Sequence, residues 1–600
     1  MSQYSGYMGK IALLDLSTQT VKDYKWSDED RLRYLGGRAM AAKIMSDQLK
    51  GKETALSEDN PIVIATGPLT GTGAPSSNHF CIASLSPATG AVSYASCGGE
   101  FGYYLKKAGY DGLVIKGKCE EPTWVEVSNS SFTFNSAKKL MGLKVSDTQD
   151  ELQFLMDEKR GCRVKCGKLV IGPAGENLSR IATVVSDDRE AEHGDFGAVF
   201  GFKLLKGIVV TGNKEIPVFD MEQARANHRE WSAILHNHPL TGELLPKYGT
   251  MGFVKYLNEQ GMLPTKGYSK GVYSDADSLS GECFTDKYNV VNRGCAFCPI
   301  RCERTAIIDG KTVRGPELEL TVLLGSNILN SDPCRIVMWN NEMFELGLDP
   351  VSAARTIAWA MEANEAGVYK CGLEYGIVSN VSDFIENIAY CDGPGAELSE
   401  GLVSLGKKYG EDFAYITKPL ELVAVDRIMG VSLNSKGEPA KKALVDFADE
   451  LQEAAASAGQ CRMCAFADIP AFVVSEPDSF ASAAVKAVMP LSAGVFKLLS
   501  KMPTKLTDKL PHFVHSKELR ASLDMKLSLS DFIAVGRTGL DTEKELNKKL
   551  GAEVKTVYMP AAIAKAQKEA EKSFAEKMKD MLKGFEPDKL ALLAKLKKEE

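Results

Sequence analysis

Gly67 to Lys118 reads GPLTGTGAPSSNHFCIASLSPATGAVSYASCGGEFGYYLKKAGYDGLVIKGK. The stretch is dense in Gly, Ser and Thr and is set between apolar runs. Such loops let backbone N–H groups come close to an anionic ligand, although any β-rich fold also needs many turns. Around it stand IALLDLS (11–17), PIVIATG (61–67), DGLVIKG (111–117), TWVEVS (123–128), KLVIGPAG (168–175) and KGIVVTG (206–212). Each is short, apolar, β-branched and closed by Gly, Pro or Asn, which predicts strands. A second glycine-rich stretch, SDDREAEHGDFGAVFGFKLLKGIVVTG, covers 186–212. Residues 1–213 therefore read as a β-rich unit.

From about 214 the texture changes. MEQARANHREWSAILHN, PCRIVMWNNEMFELGL, PVSAARTIAWAMEANEAG and VSDFIENIAY carry apolar residues three and four apart, the period of helices. Asp349 and Pro350 suit an N-cap and first helical position. The polar stretch GKKYGED sets a soft boundary near 415, giving a helical unit over 214–415 and another over 416–600. The last of these ends in a Lys/Glu-rich helix. A chain of 600 residues is too long for one core, and the fold class expected is α+β.

Composition excludes several functions. A net charge of −7 gives no footprint for nucleic acid, and no apolar run is long enough to span a bilayer. The N-terminus has no secretory pattern, so a cytoplasmic protein is expected. Its 14 cysteines are then not a disulfide framework.

Asn292 to Thr305, NRGCAFCPIRCERT, places Cys295, Cys298 and Cys302 at C-x2-C-x3-C spacing. Three thiols this close argue for metal. A structural zinc site adds a second knuckle or histidines, but no His stands between His238 and His512. A 4Fe-4S cubane fits better, because one of its four ligands commonly comes from a distant segment. Cys461 and Cys464 are the cysteines that stand out for that role. The helix KKALVDFADELQEAAASA should end at Gly459, a natural C′ residue, which leaves Cys461 on a fixed loop; Cys464 reads as buried.

Together these stretches resemble the tungsten-containing aldehyde:ferredoxin oxidoreductase family. The segments that carry the resemblance are GKIALLDLST, YLGGRAMAAKIM, the 67–118 block, FGAVFGFKLLKGIVV, CAFCPIRC, GPELELTVLLGSN, the LGLD step at Leu346–Asp349, and DFIAVGRTGLDTEKELNKKLG. The resemblance covers nearly the whole chain, in order. It implies an N-terminal domain of two sheets under a tungsten (or molybdenum) bis-molybdopterin, covered by two mostly helical domains. It also implies a 4Fe-4S cluster at Cys295, Cys298, Cys302 and Cys461, and a magnesium ion bridging the pterin phosphates. Ser96 and the backbone carbonyls of Arg189–Glu190 would hold that ion. Gly98, Gly99, Gly347, Asp349 and Gly459 fall at cofactor-facing positions, and Arg38, Lys106 and Arg189 are phosphate partners by analogy. Glu319, then Glu317, would be the acid/base carboxylate.

The sequence departs from the family's pattern at several points. The first acidic signature survives only as Gly347 and Asp349, with Phe344 for its first Asp and Glu345 beside it. The second keeps Gly459 and Cys461 but has Ala456 for its Asp. His79 stands for a pterin-contacting Arg, and His193 with Asp195 interrupts a glycine run. The third-domain His is missing, leaving His238 and His236, then Tyr415 and Asp426, as substitutes. The expected activity is oxidation of an aldehyde to a carboxylate, with electrons passing to ferredoxin or a ferredoxin-like subunit of a homo- or hetero-oligomer. A low-potential reductase of the acyl- or benzoyl-coenzyme A type is the enzymatic alternative, and an iron–sulfur relay subunit without pterin is the non-enzymatic one.

Overall fold

The computed structural model describes residues 4–129, 131–191, 194–259, 261–288, 290–308, 310–410, 416–417, 420–421, 442–468 and 514–552. Two six-stranded sheets come first. The first holds β1 (Ile11–Asp15), β2 (Thr20–Tyr24), β3 (Ile62–Thr66), β4 (Phe80–Leu85), β5 (Val92–Cys97) and β6 (Gly112–Lys116) in the order β2-β1-β6-β3-β4-β5. The second holds β7 (Thr123–Ser128), β8 (Ser131–Ser136), β9 (Gly167–Val170), β10 (Val185–Ser186), β11 (Arg189–Glu190) and β12 (Leu205–Thr211) in the order β11-β10-β9-β12-β7-β8. Two of the first sheet's strands, β4 and β5, lie inside the glycine-rich block that the sequence reads mainly as loops. Almost all of their residues are buried, and Ala, Ser and Cys are interspersed with Phe80, Ile82, Leu85 and Tyr94, so the strands merge into the small-residue texture of the block.

Alternation of side chains decides what each face of the first sheet covers. Leu14, Ile62, Ile64, Phe80, Ile82, Leu113 and Ile115 point into a core shared with Val125, Leu169, Ile208 and Val210 of the second sheet. Their neighbours Ile11, Val63, Ala65, Cys81, Ala83 and Val114 point the other way, into the core built by the helices. Each large aliphatic buried this way contributes about 1.5–3 kcal/mol, so a sheet apolar on both faces is held from both sides.

The helical part begins at Met221–Asn237, close to the predicted change at 214. Helices Pro333–Leu346, Pro350–Glu365 and Val381–Tyr390 follow the sequence periodicity. Asp349 caps the second of these, its carboxylate accepting from the Ser352 N–H at 2.8 Å. A three-stranded sheet interrupts the helices: β13 (Val291–Arg293), β14 (Glu303–Ile308) and β15 (Lys311–Arg314), in the order β13-β14-β15. Helical texture alone hides it. The DG pair at 309–310, between ERTAII and KTVR, is its turn signal. Among the described residues, no helix is long and apolar enough to cross a membrane. The terminal Lys/Glu-rich stretch, Tyr415, Asp426 and His193 lie outside the described residues.

Candidate functional site: a thiol cluster between the sheets and the helices

Residues 294–302 form the loop between β13 and β14, whose pairing sets Arg293 opposite Glu303. The Cys298 N–H donates to the Cys295 carbonyl at 3.1 Å, and Phe297 and Arg301 take φ values of 62° and 51°. Left-handed backbone at a non-glycine residue costs about 1–2 kcal/mol, and strain of this kind collects at functional loops.

Cys461 arrives from the other side. Helix Lys442–Ala458 ends at Gly459, whose φ is 94°, as the glycine predicted. The chain at that helix end is bonded to the 67–79 segment. The Leu69 N–H donates to Ala458 O at 3.0 Å, His79 N–H to Gly459 O at 3.1 Å, and Cys461 N–H to Ser76 O at 2.7 Å. Two glycines make this approach possible. A Cβ on Gly67 would stand 2.1 Å from the Gly459 nitrogen, and one on Gly459 2.4 Å from Thr70 Oγ1.

The four thiols therefore lie in one neighbourhood. Ser76 Oγ lies 3.3 Å from Cys298 Sγ. Cys298 is within electrostatic reach of Cys295 and Cys461, and Cys302 of Cys461 and Cys298. Gly98 closes the remaining side, since a Cβ there would stand 2.9 Å from Cys295 Sγ and 3.4 Å from His79 Nε2. Cys464 is buried and donates to the Cys461 carbonyl at 2.8 Å.

The electrostatics of these thiols are uneven. Burial works to raise Cys295, but His79 beside it and the Arg189 guanidinium bring it down to about 6. Burial pushes Cys302 well up, helped by the Glu317 carboxylate, and burial also raises Cys298. Buried thiols cannot all carry charge unaided, whereas metal binding deprotonates its thiols. Among the described residues, no three His, Cys, Asp or Glu side chains close on one point tightly enough to hold a single ion. A cubane needs a wider arrangement, because each thiolate binds a different iron.

His79 joins this cluster to the glycine-rich block. Its Nδ1 lies 3.1 Å from Ser96 Oγ and its Nε2 3.9 Å from Cys295 Sγ. Cys97 directs its thiol to the Arg189 carbonyl at 3.7 Å, so the residue after Ser96 touches the Arg189–Glu190 peptide. Gly99 has φ 84°, and its carbonyl accepts from Asn78. Several buried polar atoms near these positions have no hydrogen-bond partner among the described residues: both amide atoms of Gln460, Asn78 Oδ1, Ser352 Oγ and Thr356 Oγ1. Buried polar atoms are nearly always paired, so these fit a polar ligand contacting the residues next to His79, Cys461 and Asp349. Gly347, at φ 71°, packs its backbone against Gly172.

Other expected positions are corrected. Lys106 is fully buried and its ammonium pairs with Asp111 at 2.9 Å, which takes it out of the phosphate set. Arg38 is held between Glu453 at 2.7 Å and Glu543 at 2.8 Å, tying distant helices together rather than meeting an anion. Arg189 spends its guanidinium on Glu303 at 2.5 Å. Arg314 in turn pairs with Glu190 and lies 3.6 Å from Glu303, so four alternating charges form a chain that no motif announces. His238 caps a turn, its Nδ1 accepting from the Leu240 N–H at 3.2 Å. Glu345 binds the Ser146 N–H at 3.0 Å and is directed to the surface, so it does not replace the lost Asp. Phe344 packs with the second sheet's outer core and under the Arg314 guanidinium. Glu317 accepts from Thr250 Oγ1 at 2.5 Å, and Glu319 stands half-buried in the first turn of helix Leu318–Leu323.

The chain is similar to known proteins along most of its length. Residues 11–212 match the family model for the aldehyde ferredoxin oxidoreductase N-terminal domain, and residues 227–585 that for domains 2 and 3. The chain is 36% identical over 449 residues to the tungsten-containing aldehyde ferredoxin oxidoreductase of Pyrococcus furiosus, covering 72% of this chain and 73% of that protein. It is 34% identical over 448 residues to the like-named protein of Thermococcus kodakarensis. The WOR-like subunit of an aliphatic sulfonate oxidoreductase from P. furiosus is 26% identical over 432 residues. Among solved structures, the active site complex BamBC of benzoyl coenzyme A reductase superposes with a TM-score of 0.75 over 97% of this chain and 95% of that one; at 19% identity this is a likeness of fold.

Proposed function

The chain belongs to the aldehyde ferredoxin oxidoreductase family and is an oxidoreductase, and from that premise we propose that it oxidises an aldehyde on a tungsten bis-molybdopterin. The overall change turns an aldehyde and water into a carboxylic acid, two protons and two electrons, with ferredoxin or a ferredoxin-like subunit taking the electrons. When bound, the metallopterin would supply the two-electron redox chemistry and the 4Fe-4S cluster the exit path.

The observation that carries this reading is the convergence of Cys461 with Cys295, Cys298 and Cys302 beside His79 and Gly98. In it the four thiolates hold the cluster, and His79 spans from Cys295 to Ser96. The Ser96 and Arg189–Glu190 peptides would hold magnesium, while Asn78 Oδ1, Gln460, Ser352 and Thr356 would give their unspent polar atoms to the pterins. Glu319 accepts a proton from the hydrated aldehyde. Glu317 is tied to Thr250, and Glu319 stands half-buried in the first turn of its helix.

Elemental analysis of anaerobically purified protein tests the proposal, together with aldehyde-dependent reduction of a viologen dye. About one tungsten and four irons per chain with dye reduction is expected. Iron without tungsten or molybdenum would reduce the chain to an electron relay and overturn the proposal.

A further inference from the structure

We infer that the Glu303 carboxylate lowers the reduction potential of the cluster bound by its neighbour Cys302, through the buried charge chain Arg189–Glu303–Arg314–Glu190. The inference rests on the reading above that the four thiols hold an electron-transferring cluster. Glu303 is a positioning residue in this role, since it acts on the cluster through Arg189 and the cysteine loop and not as a ligand.

Glu303 opens β14 directly after Cys302, and it lines the same groove as Cys295 and Cys298. Its side chain is only 4% exposed. One carboxylate oxygen meets the Arg189 guanidinium at 2.5 Å, and the other lies 3.6 Å from Arg314 Nε. Arg314 carries the chain on to Glu190, whose side chain is also buried. Arg189 runs along the cysteine loop. A Cβ on Gly98 would stand 2.9 Å from Cys295 Sγ and 3.6 Å from Arg189 Cγ, and the guanidinium is within electrostatic reach of Cys295 and Cys302.

Stability gives no reason for four charges here. Taking ions out of water is costly, and a buried ion pair can often be replaced by apolar side chains of similar volume without loss. At a cluster the same charges have an effect. A 4Fe-4S cluster that takes up one electron gains one unit of negative charge, so cations beside it favour the reduced form and anions oppose it; local charge is one of the settings of its potential. On the Cys295 side stand Arg189 and His79, which both favour negative charge on the sulfur. Asp188 lies there too, but it is exposed and screened by water. Beside Cys302 the Glu317 carboxylate and the Arg304 guanidinium are opposite in sign. Glu303 is a buried carboxylate set against Arg189, and burial leaves its field unscreened. With that charge in place the cluster holds its electron less tightly. Each aldehyde oxidised yields two electrons, and a cubane that carries one at a time must empty between them.

The test is a potentiometric titration of the holoenzyme, followed by the electron paramagnetic resonance signal of the reduced cubane, with iron per chain as control. Burial pushes Glu303 up to about 7, so the titration is run at about pH 8.5, where its charge is in place. Glu303→Gln keeps the size of the side chain and can still accept from Arg189, but it loses the charge. Glu303→Asp keeps the charge and shortens the side chain. At a fixed potential Glu303→Gln should raise the ratio of reduced to oxidised cluster about tenfold, which is about 59 mV for a one-electron couple. Glu303→Asp should stay within about twofold of wild type. A residue needed only for packing would give the opposite order, because the isosteric Gln would disturb the loop less than Asp. An unchanged potential in Glu303→Gln, an equal shift in Glu303→Asp, or loss of iron from Glu303→Gln would each overturn the inference. A wild-type chain without iron or a cubane signal would overturn the cluster reading and this inference with it; full iron with an unmoved potential would overturn this inference alone.

Discussion

Replacing Gly67 with Ala probes how the fourth thiol is delivered. The added Cβ would stand 2.1 Å from the Gly459 nitrogen, 2.2 Å from the Ala458 carbonyl carbon and 2.3 Å from its oxygen. All three are backbone atoms, so no side chain can swing aside. Ordinary contact begins at 3.4 Å, so the two segments must part by about 1.3 Å. The Cys461 N–H bond to Ser76 and the His79 and Leu69 bonds to the helix end lie within this displaced region. Metal–ligand distances tolerate about 0.2 Å, several times less than the required movement. Overpacking of this kind costs about 1–3 kcal/mol in a well-packed core, enough to lower Tm by several degrees while leaving both six-stranded sheets folded. The expected variant is soluble and native by far-UV circular dichroism, but it loses iron and the low-temperature electron paramagnetic resonance signal of a reduced cubane. Four irons per chain with an unchanged signal would show that Cys461 tolerates the movement and that delivery by the glycine pair is wrong.

Three further substitutions check other parts of the reading. Cys298→Ser should abolish the cluster, read as iron per chain; a full complement of iron would refute its assignment as a ligand. Glu319→Gln should leave metal content intact and slow aldehyde oxidation by about 10²–10⁴-fold, and a near-normal rate would remove Glu319 from the chemistry. Burial pulls the His515 imidazole down to about 4 from 6.5, and its ring stacks on Phe532 and meets Trp231 edge-on. The unfolded chain takes up a proton below 6.5 that the folded one refuses until about 4, so stability falls as pH drops through that window, by up to about 3 kcal/mol. His515→Phe should keep the ring contacts and flatten this limb in urea melts between pH 7 and pH 4.5; an unchanged slope would acquit the histidine.

What could be read from the chain depended on how far apart the causes lie. Val381–Tyr390 and Pro350–Glu365 were legible because caps and apolar spacing are local. The end of helix Lys442–Ala458 was legible for the same reason, since Gly459 sits in its own αL position. β13–β15 was not, because its strands are short, half of their residues are charged or exposed, and only the DG pair speaks for a turn. Charged residues were the least readable. Arg38 looks like an anion binder until Glu543, 505 residues away, is seen against it. Lys106 looks exposed until its helix is packed and Asp111 turns inward.

The candidate site has the same division. The thiol spacing was visible, but the pairing of Gly67 with Gly459 and of Gly98 with Cys295 depends on two backbones approaching each other, and a glycine in sequence does not say what it approaches. Gln460 and Asn78 carry no motif at all; they became candidates only because burial left both Gln460 amide atoms and Asn78 Oδ1 without partners among the described residues. Residues flanking a readable motif are thus the ones a sequence conceals best: His79 and Cys461 announce themselves by type, while their neighbours acquire a role only from the surface that the fold closes over them. The substitution that separates these cases is Gln460→Leu. It removes two unpaired polar atoms from a dry place, which should stabilise the metal-free chain by about 1–3 kcal/mol. If those atoms serve the pterin, it should also lower tungsten content while sparing iron. Greater stability with unchanged tungsten would show that Gln460 faces no cofactor.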